Sequence, residues 1–295
     1  MRILLLGLLL ISSKLFASTS LGDANDESSL YMKDGNAISS NFKDKSIKLS
    51  YLKAKSDDPF GFGITLKGKA NDKLSAIFDG DATNPETSIS IPLSYQWILS
   101  DKPGKAAPTS MFIDDWIVVE FKYTKGEYQI FDETKDLDNQ LYKESMSSSG
   151  AVVSYNAILN GNFLFGASVE YGKANNYQGL KEKTVKTFKT VYDDETTSRI
   201  TESSTTAREG IYEEFYQRKA NIDLMYYPNY FAGRIGIDAF LRYSTDEQKD
   251  SSVDPGLGIF LLKEGAPTKI SGGVTVVRDK KDDETLIGLV VGYVF

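Results

Sequence analysis

Cysteine and histidine are both absent from the 295-residue chain, and tryptophan occurs only twice. Without cysteine, neither disulfides nor thiolate metal sites can hold the fold. Without histidine, a serine–histidine or histidine–aspartate catalytic pairing and histidine-ligated zinc or haem are excluded. We therefore expect a protein that is stabilised by backbone pairing and packing, with no enzymatic activity, no metal site and no cofactor.

Long apolar runs are also lacking, because none reaches the roughly 18 residues that a membrane helix requires. The longest, Ile3 to Ile11, follows Arg2 and precedes Leu15-Phe16-Ala17. A basic start, a short apolar run and a small residue before the cleavage point are typical of an export signal. Residues 1–17 are therefore predicted to be a signal peptide.

The rest of the chain divides into two predicted parts. Residues 18–42 are expected to form a flexible N-terminal segment that includes a weak first strand, and residues 43–295 one large β domain. The formal charge of −7 and the pI near 4.9 disfavour nucleic acid as a partner, since phosphate binding requires clustered Lys and Arg.

Alternation of apolar and polar residues is the main structural signal. Between Ser88 and Leu99, one side of an extended strand is apolar and the other carries mostly small polar residues. A stripe of about 11 residues suits a tilted strand that crosses the hydrocarbon core. Pro92 lacks an N–H for the ladder, so a bulge or local break is expected there. The apolar positions are Ile89, Ile91, Leu93, Tyr95, Trp97 and Leu99.

The same alternation recurs elsewhere and predicts an all-β protein. Two architectures remain open, because a soluble sandwich buries such a face in its core whereas a membrane barrel turns it toward lipid. The recurring stripes occupy every second residue of Phe60 to Leu66, Ile117 to Tyr123, Phe163 to Tyr171 and Ile235 to Tyr243.

Connection lengths favour the barrel. Tight turns are predicted at 160–162 and 228–230, and longer polar connections between the hairpins. Alternating short turns and long loops are typical of a barrel whose ends face different compartments. The longest connection, 178–213, is predicted to be a partly ordered protrusion that extends its flanking strands. The long connections are Asp132 to Ser149, Gln178 to Glu213, Ser244 to Pro255 and Asp279 to Glu284.

The predicted fold is thus a transmembrane antiparallel up-and-down β-barrel of about twelve strands, with ten to fourteen compatible with the pattern. An even number follows when both ends of the barrel chain lie on the same side. A weak strand within Ser29 to Phe42 gives twelve, and exclusion of Ser46 to Lys55 from the wall gives ten.

The last segment carries the most specific motif. Ile287, Leu289, Val291, Tyr293 and Phe295 alternate with small or apolar residues. This resembles the terminal strand of Gram-negative outer-membrane β-barrels of the porin-like kind, in which a final aromatic residue forms a signal for the barrel-assembly machinery. The resemblance implies that Val291, Tyr293 and Phe295 are an assembly signal, that the protein lies in the bacterial outer membrane, and that lipid and the assembly machinery are its partners.

A second, short resemblance concerns the segment Phe60 to Ala70, followed by Ile77 to Gly80 and Asn84-Pro85. It is similar to uncharacterised barrels of Bacteroidetes-type bacteria. It implies no activity.

Polar residues opposite the apolar stripes are the candidate functional residues. If the stripes face lipid, charges of both signs point into the lumen, where they form either mutually neutralising structural pairs or a constriction that selects solutes by size and charge. Lys122, Glu120, Asp223, Arg234, Asp238 and Arg242 are predicted to form the constriction. Further residues predicted to face the lumen are Lys48, Lys67 and Glu170.

Aromatic residues near strand ends are predicted to form two interfacial girdles. They are Tyr51, Trp97, Tyr123, Tyr171, Tyr226, Tyr227, Tyr243 and Tyr293.

Three functional hypotheses follow. The first is a porin-like channel for small solutes with a narrow polar lumen. The second is a closed structural or surface-interaction barrel that acts through the connection 178–213. The third is an exported soluble sandwich or adhesin. The identity of a solute or partner and the oligomeric state are open.

Overall fold

The structure is a computed structural model. It describes residues 27–31, 37–42, 45–54, 59–69, 86–97, 112–136, 139–160, 162–192, 198–228, 234–247, 251–263, 266–280 and 283–294. The predicted signal peptide, residues 18–26, Phe295 and the motifs at 77–80 and 84–85 lie outside these ranges. No helix in the described ranges is long and apolar enough to cross a membrane.

Fourteen β-strands make up most of the described chain. They are β1 Ala37–Asn41, β2 Ser46–Ala54, β3 Phe60–Lys69, β4 Glu86–Trp97, β5 Phe112–Phe131, β6 Leu141–Leu159, β7 Phe163–Asn175, β8 Lys181–Tyr192, β9 Ser198–Glu209, β10 Glu214–Tyr226, β11 Ile235–Asp246, β12 Ser252–Lys263, β13 Ala266–Asp279 and β14 Glu284–Val294. One turn of 3-10 helix, Tyr177–Gly179, precedes β8.

Twelve of these strands close into a barrel. Each pairs antiparallel with its neighbour in the chain, except that β7 pairs with β10 across the inserted β8–β9 hairpin. Closure comes from β1, which pairs with β14 in the register Ala37↔Val294 and Ser40↔Val291. The predicted all-β barrel of about twelve strands is confirmed, and β2, in the segment Ser46 to Lys55, belongs to the wall.

The apolar stripes face outward. Phe60, Phe121, Val169, Leu257 and Ile287 are between 53% and 66% exposed. In a sandwich these side chains would lie between two sheets, so the soluble alternative is wrong. A continuous apolar outer surface of this size is stable against hydrocarbon and not against water. The molecule is therefore a membrane-embedded barrel.

The two ends of the barrel differ. We call the end that holds the start of β1 and the finish of β14 the terminal end, and the opposite end, which bears β8 and β9, the hairpin end. Connections at the terminal end are 55–59, 98–111, 160–162, 227–234 and 264–265, and those at the hairpin end are 42–45, 70–85, 132–140, 176–213, 247–251 and 280–283.

The predicted segregation of short turns and long loops is only partly correct. The terminal end includes the 14-residue connection 98–111. The hairpin end includes two short connections of four residues each, 42–45 and 280–283. Strands also extend into two predicted loops. β5 and β6 stay paired as far as Phe131 and Leu141, and β11 and β12 as far as Ser244 and Ser252. The polar composition of these extensions concealed them. A strand segment that lies beyond the bilayer does not contact lipid, so it does not need an apolar face.

The connection 178–213 contains the β8–β9 hairpin, which lies outside the barrel wall. The two strands pair from Lys181↔Glu209 to Tyr192↔Ser198. A protrusion that continues as paired strands agrees with the expectation for this segment. Its base meets β5 in a short parallel pairing of Ile130 with Arg208 and of Phe131 with Glu209.

A small apolar core fixes the base of this hairpin. Tyr128, Ile130, Met146 and Tyr177 are buried together, and the Arg208 guanidinium donates to the Leu180 carbonyl at 2.9 Å. Burial raises the pKa of the Tyr177 hydroxyl, and the neighbouring Arg208 opposes that shift. The hairpin is therefore packed where it leaves the barrel.

Pro92 interrupts the wall locally, as predicted. The β3–β4 ladder is recorded at Phe62↔Leu93 and again at Thr65↔Ser90 in unchanged register. The pairing is thus broken beside Pro92 without a bulge, because a residue without an N–H cannot donate to the neighbouring strand.

Candidate functional site in the barrel lumen

Residues 27–31, which we call the plug, lie inside the barrel. Ser28 to Tyr31 are at most 9% exposed, and Ser29 and Leu30 are completely buried. They precede β1 in the chain but contact β5, β6, β7, β10 and β11. The lumen is therefore occupied by a segment that belongs to none of the wall strands.

Ser29 is held by a buried ion pair. Its backbone N–H donates to Asp223 Oδ2 at 2.8 Å, and its hydroxyl also donates to that carboxylate. Arg242 binds both oxygens of Asp223, at 2.7 and 3.0 Å. On the opposite side, the Ser154 hydroxyl donates to the Ser29 carbonyl at 2.7 Å. Asp223 and Arg242, two of the residues predicted to form the constriction, thus bind the plug.

Tyr31 is held on three sides. Its backbone N–H donates to Asn156 Oδ1 at 2.9 Å, and its carbonyl accepts from Trp116 Nε1 at 3.1 Å. Its hydroxyl donates to Glu120, whose other oxygen accepts from the Ser90 hydroxyl. The plug backbone therefore finds its hydrogen-bond partners among wall side chains, as buried polar groups must.

Gly166 makes room for the plug. A Cβ added there would come within 2.8 Å of the Ser29 carbonyl oxygen and 2.9 Å of Leu30 Cδ2. Any side chain at this position would therefore collide with the plug, which fits the wall closely on this face.

An apolar cluster surrounds the plug toward the terminal end. Leu30 inserts into it, and burying one leucine stabilises such packing by about 1.5 to 3 kcal/mol. The cluster consists of Leu30, Tyr31, Trp116, Val118, Val152, Leu164, Met225, Tyr227, Phe260, Leu262 and Ile270. Side chains and plug together fill this part of the lumen.

Five of the six predicted constriction residues lie inside the barrel. Glu120 contacts Tyr31, and Asp223 and Arg242 hold Ser29. Lys122 forms an ion pair with Glu170 at 3.0 Å, on the hairpin-end side of the plug.

The other two residues of the predicted set are Asp238 and Arg234, and only the first lies inside the barrel. Asp238 is 3% exposed inside the barrel. Arg234 is exposed and immediately precedes β11, at the terminal rim. The structure does not bring Arg234 into the cluster, because the wall strand begins only at Ile235.

Several of the tyrosines that were predicted to form aromatic girdles lie on the outer wall. Tyr123 and Tyr171 are 49% and 51% exposed on the outer wall, and Tyr171 stacks on Tyr216 with ring centroids 5.4 Å apart. Near the terminal end, Tyr226 packs against Phe163 at 4.9 Å. Tyr227 was wrongly assigned to a girdle, because it is 4% exposed and belongs to the apolar cluster in the lumen.

Tyr51 and Tyr243 also lie on wall strands, with Tyr51 half-buried and Tyr243 39% exposed. Trp97 and Tyr293 are in strands as well, but their side chains are not among those described.

Sequence reasoning missed the plug and the apolar part of the lumen. The signal for the apolar part was present, because several strands are apolar on both faces near their terminal end. Examples are Trp116 to Val119, Phe163 to Phe165 and Ile259 to Leu262. A run without alternation indicates burial on both faces. The plug carries no comparable signal, since Glu27 to Ser29 reads as a polar tail.

The described part of the lumen offers binding chemistry. Among the described residues, no group of three or more acidic, histidine or cysteine side chains is arranged to hold a metal ion. What the lumen does offer is carboxylates, ammonium groups, hydroxyls and amides at close quarters, which bind polar solutes or a peptide segment.

Comparison with known proteins gives a structural likeness to a porin. No protein-family model matches the chain, and no curated protein matches it. A porin whose structure was refined at 1.8 Å resolution is similar with a TM-score of 0.36 and 10% identity, over 85% of this chain and 62% of the porin. This chain thus spans less than two thirds of that porin. The barrel assignment rests on the strand pairing itself.

Proposed function

We propose that this protein is an outer-membrane channel for small polar solutes, closed by residues 27–31 in this conformation. The observation that carries the proposal is the plug itself, a separate segment that is bound to lumenal Asp223, Glu120 and Asn156 by hydrogen bonds. A barrel that needs filling alone can be filled by the side chains of its own wall. A segment held by polar contacts can be replaced by water or solute.

The location in the proposal follows from the outer wall and the terminal motif. Closed barrels with an apolar belt and aromatic girdles are the β-architecture of the bacterial outer membrane. The motif at Val291, Tyr293 and Phe295 supports assembly by the barrel-assembly machinery of a Gram-negative cell, and the short resemblance at Phe60 to Ala70 supports a Bacteroidetes-type source. The lack of histidine and cysteine supports a non-enzymatic role.

Single-channel recording in planar bilayers tests the proposal. We expect the wild-type protein to be mostly closed. Leu30→Glu places a charge in the apolar cluster, where an ionised carboxylate is strongly disfavoured, and is expected to expel the plug and give discrete conductance steps. Gly166→Val is expected to act in the same way through steric collision with Ser29 and Leu30.

Two controls accompany this experiment. Ile211→Glu introduces the same charge at a side chain that is 73% exposed outside the wall, and should leave conductance at the wild-type level. A heat-modifiable gel shift establishes that every variant is folded. Folded but non-conducting Leu30→Glu and Gly166→Val variants would reject the channel.

A second candidate function is a closed barrel that binds a surface partner through 178–213. The observation that favours it is the ordered base of the β8–β9 hairpin, where Tyr177 is buried and Arg208 bonds to Leu180. A fixed base presents the hairpin in a defined orientation, which lowers the entropic cost of binding.

A further inference from the structure

A polar pocket lies in the lumen on the hairpin-end side of the plug. It is half open to solvent and offers about 380 Å³ of space between protein atoms, adjoining solvent included. Its inward-facing side chains combine two lysines with one carboxylate, two hydroxyls and an amide, while Ser149 and Lys173 border it from strand positions that face outward. The lining residues are Lys122, Thr124, Ser148, Ser149, Gly150, Glu170, Gly172, Lys173, Ala174, Gln217 and Lys219.

Two facing glycines recess the pocket wall. Gly150 on β6 is paired with Gly172 on β7, and a Cβ added at Gly172 would come within 3.0 Å of the Gly150 Cα. Neither position therefore has room for a side chain without a shift. Because both residues are glycines, no side chains fill this part of the lumen, and the space belongs to the pocket.

Each inward-facing lysine of the pocket is neutralised by a different glutamate. Lys122 pairs with Glu170 at 3.0 Å, and Lys219 pairs with Glu27. Glu170 belongs to the wall strand β7. Glu27 belongs to the plug, and its backbone carbonyl also accepts from Arg242 at 3.4 Å. One lysine of the pocket is thus paired with a carboxylate that the plug carries.

We infer that this pocket binds a small hydroxylated carboxylate, whose anionic group replaces that of Glu27 on Lys219 and so loosens the plug. The inference rests on the proposed channel and names its solute class. Ammonium groups select the carboxylate, and Ser148, Thr124 and Gln217 suit the hydroxyls. A solute that binds better when the plug is displaced shifts the barrel toward its open state by its differential affinity.

The test uses D-glucuronate as the probe and D-glucose, which lacks the carboxylate, as the matched control. Binding is measured by titration calorimetry of the full-length barrel in detergent at low salt. We expect glucuronate to bind and glucose not to bind. High salt should weaken the binding, because partly exposed charges are screened.

Variants locate the site. Lys219→Gln and Lys122→Gln are each expected to weaken glucuronate binding about ten-fold or more, the loss of about one charge-assisted contact. Glu27→Gln removes the competing carboxylate and should strengthen binding about 3- to 10-fold. Lys125→Gln removes an exposed lysine on the outer side of β5 and should change nothing. If Glu27→Gln and the wild type bound glucuronate with equal affinity, the proposed competition between Glu27 and the solute for Lys219 would be wrong.

Plug movement has its own readout. Trp116 Nε1 donates to the Tyr31 carbonyl, so in a Trp97→Phe background the fluorescence of Trp116 reports whether Tyr31 stays in place. We expect glucuronate, and not glucose, to shift the Trp116 emission. Binding without any shift would overturn the coupling between pocket and plug.

Failure of this inference is distinguishable from failure of the channel. If Leu30→Glu conducts but neither wild type nor Glu27→Gln binds glucuronate, the pocket assignment is wrong and the channel stands. If glucuronate binds with the expected variant effects and a Trp116 shift, while Leu30→Glu and Gly166→Val do not conduct, the pocket stands and the channel is rejected.

Discussion

Asp223 and Arg242 illustrate how single residues serve the fold and the plug together. The two side chains are 1% and 4% exposed and form a bidentate pair. A buried ion pair is favourable only if its remaining hydrogen-bonding capacity is satisfied. The plug supplies part of that capacity, because Ser29 donates both its N–H and its hydroxyl to Asp223. Release of the plug therefore requires another donor at this carboxylate.

A substitution at Val291 tests whether the apolar stripes of the wall face lipid. It is 51% exposed on the outer surface of β14, so Val291→Arg places a cation in hydrocarbon. We expect a loss of about 2 to 4 kcal/mol in the free energy of unfolding if the residue lies near mid-membrane. Urea unfolding from lipid vesicles measures it. Ile200→Arg, at a residue that is 72% exposed on the hairpin, should be neutral, and equal stability of both variants would contradict the facing.

At the scale of elements, the β8–β9 hairpin is an addition to a complete barrel. Its recorded pairing with the wall is the two-residue contact with β5, whereas β7 pairs with β10 directly over thirteen residue pairs. Closure of the wall therefore does not depend on the hairpin.

Deletion of residues 181–209, with Leu180 joined to Gly210, tests this independence. We expect the shortened chain to fold and to keep its heat-modifiable gel shift, since the wall ladders are unchanged. Its conductance after Leu30→Glu should equal that of the full-length Leu30→Glu variant. Under the alternative function, the deletion abolishes partner binding while the barrel remains intact. A chain that no longer folds without the hairpin would show that it is part of the fold.

Strand extension is the second lesson at this scale. β6 begins at Leu141, inside the predicted connection Asp132 to Ser149, and pairs with β5 from Phe131↔Leu141 onward. Periodicity predicts a strand where one face is continuously apolar. Residues 143–149 are polar on both faces apart from the buried Met146, so alternation did not reveal the start of β6.

At the scale of the whole molecule, the wall closes because β14 pairs with both β13 and β1. A barrel with no free strand edge satisfies every wall backbone group in a solvent that offers no hydrogen bonds. The last strand to form must therefore find the first, which is the step that an assembly signal at its end would assist.

Deletion of Phe295 tests the proposed assembly signal. We expect a lower yield of barrel in the outer membrane and accumulation of unassembled chain, measured by cell fractionation and the heat-modifiable gel shift. The same variant, refolded in detergent, should reach wild-type stability, because the signal concerns assembly and not the finished fold. Wild-type levels in the membrane would remove the support for the motif.

The sequence by itself determined the strands, their faces and the count of about twelve, because alternation along a strand is local and each solvent selects its own side chains. It also placed Glu120, Lys122, Asp223, Asp238 and Arg242 on the inner face. Only the tertiary structure decided what fills the lumen. Ser29 and Asp223 are 194 positions apart in the chain, and no local pattern specifies which distant segment satisfies a buried carboxylate.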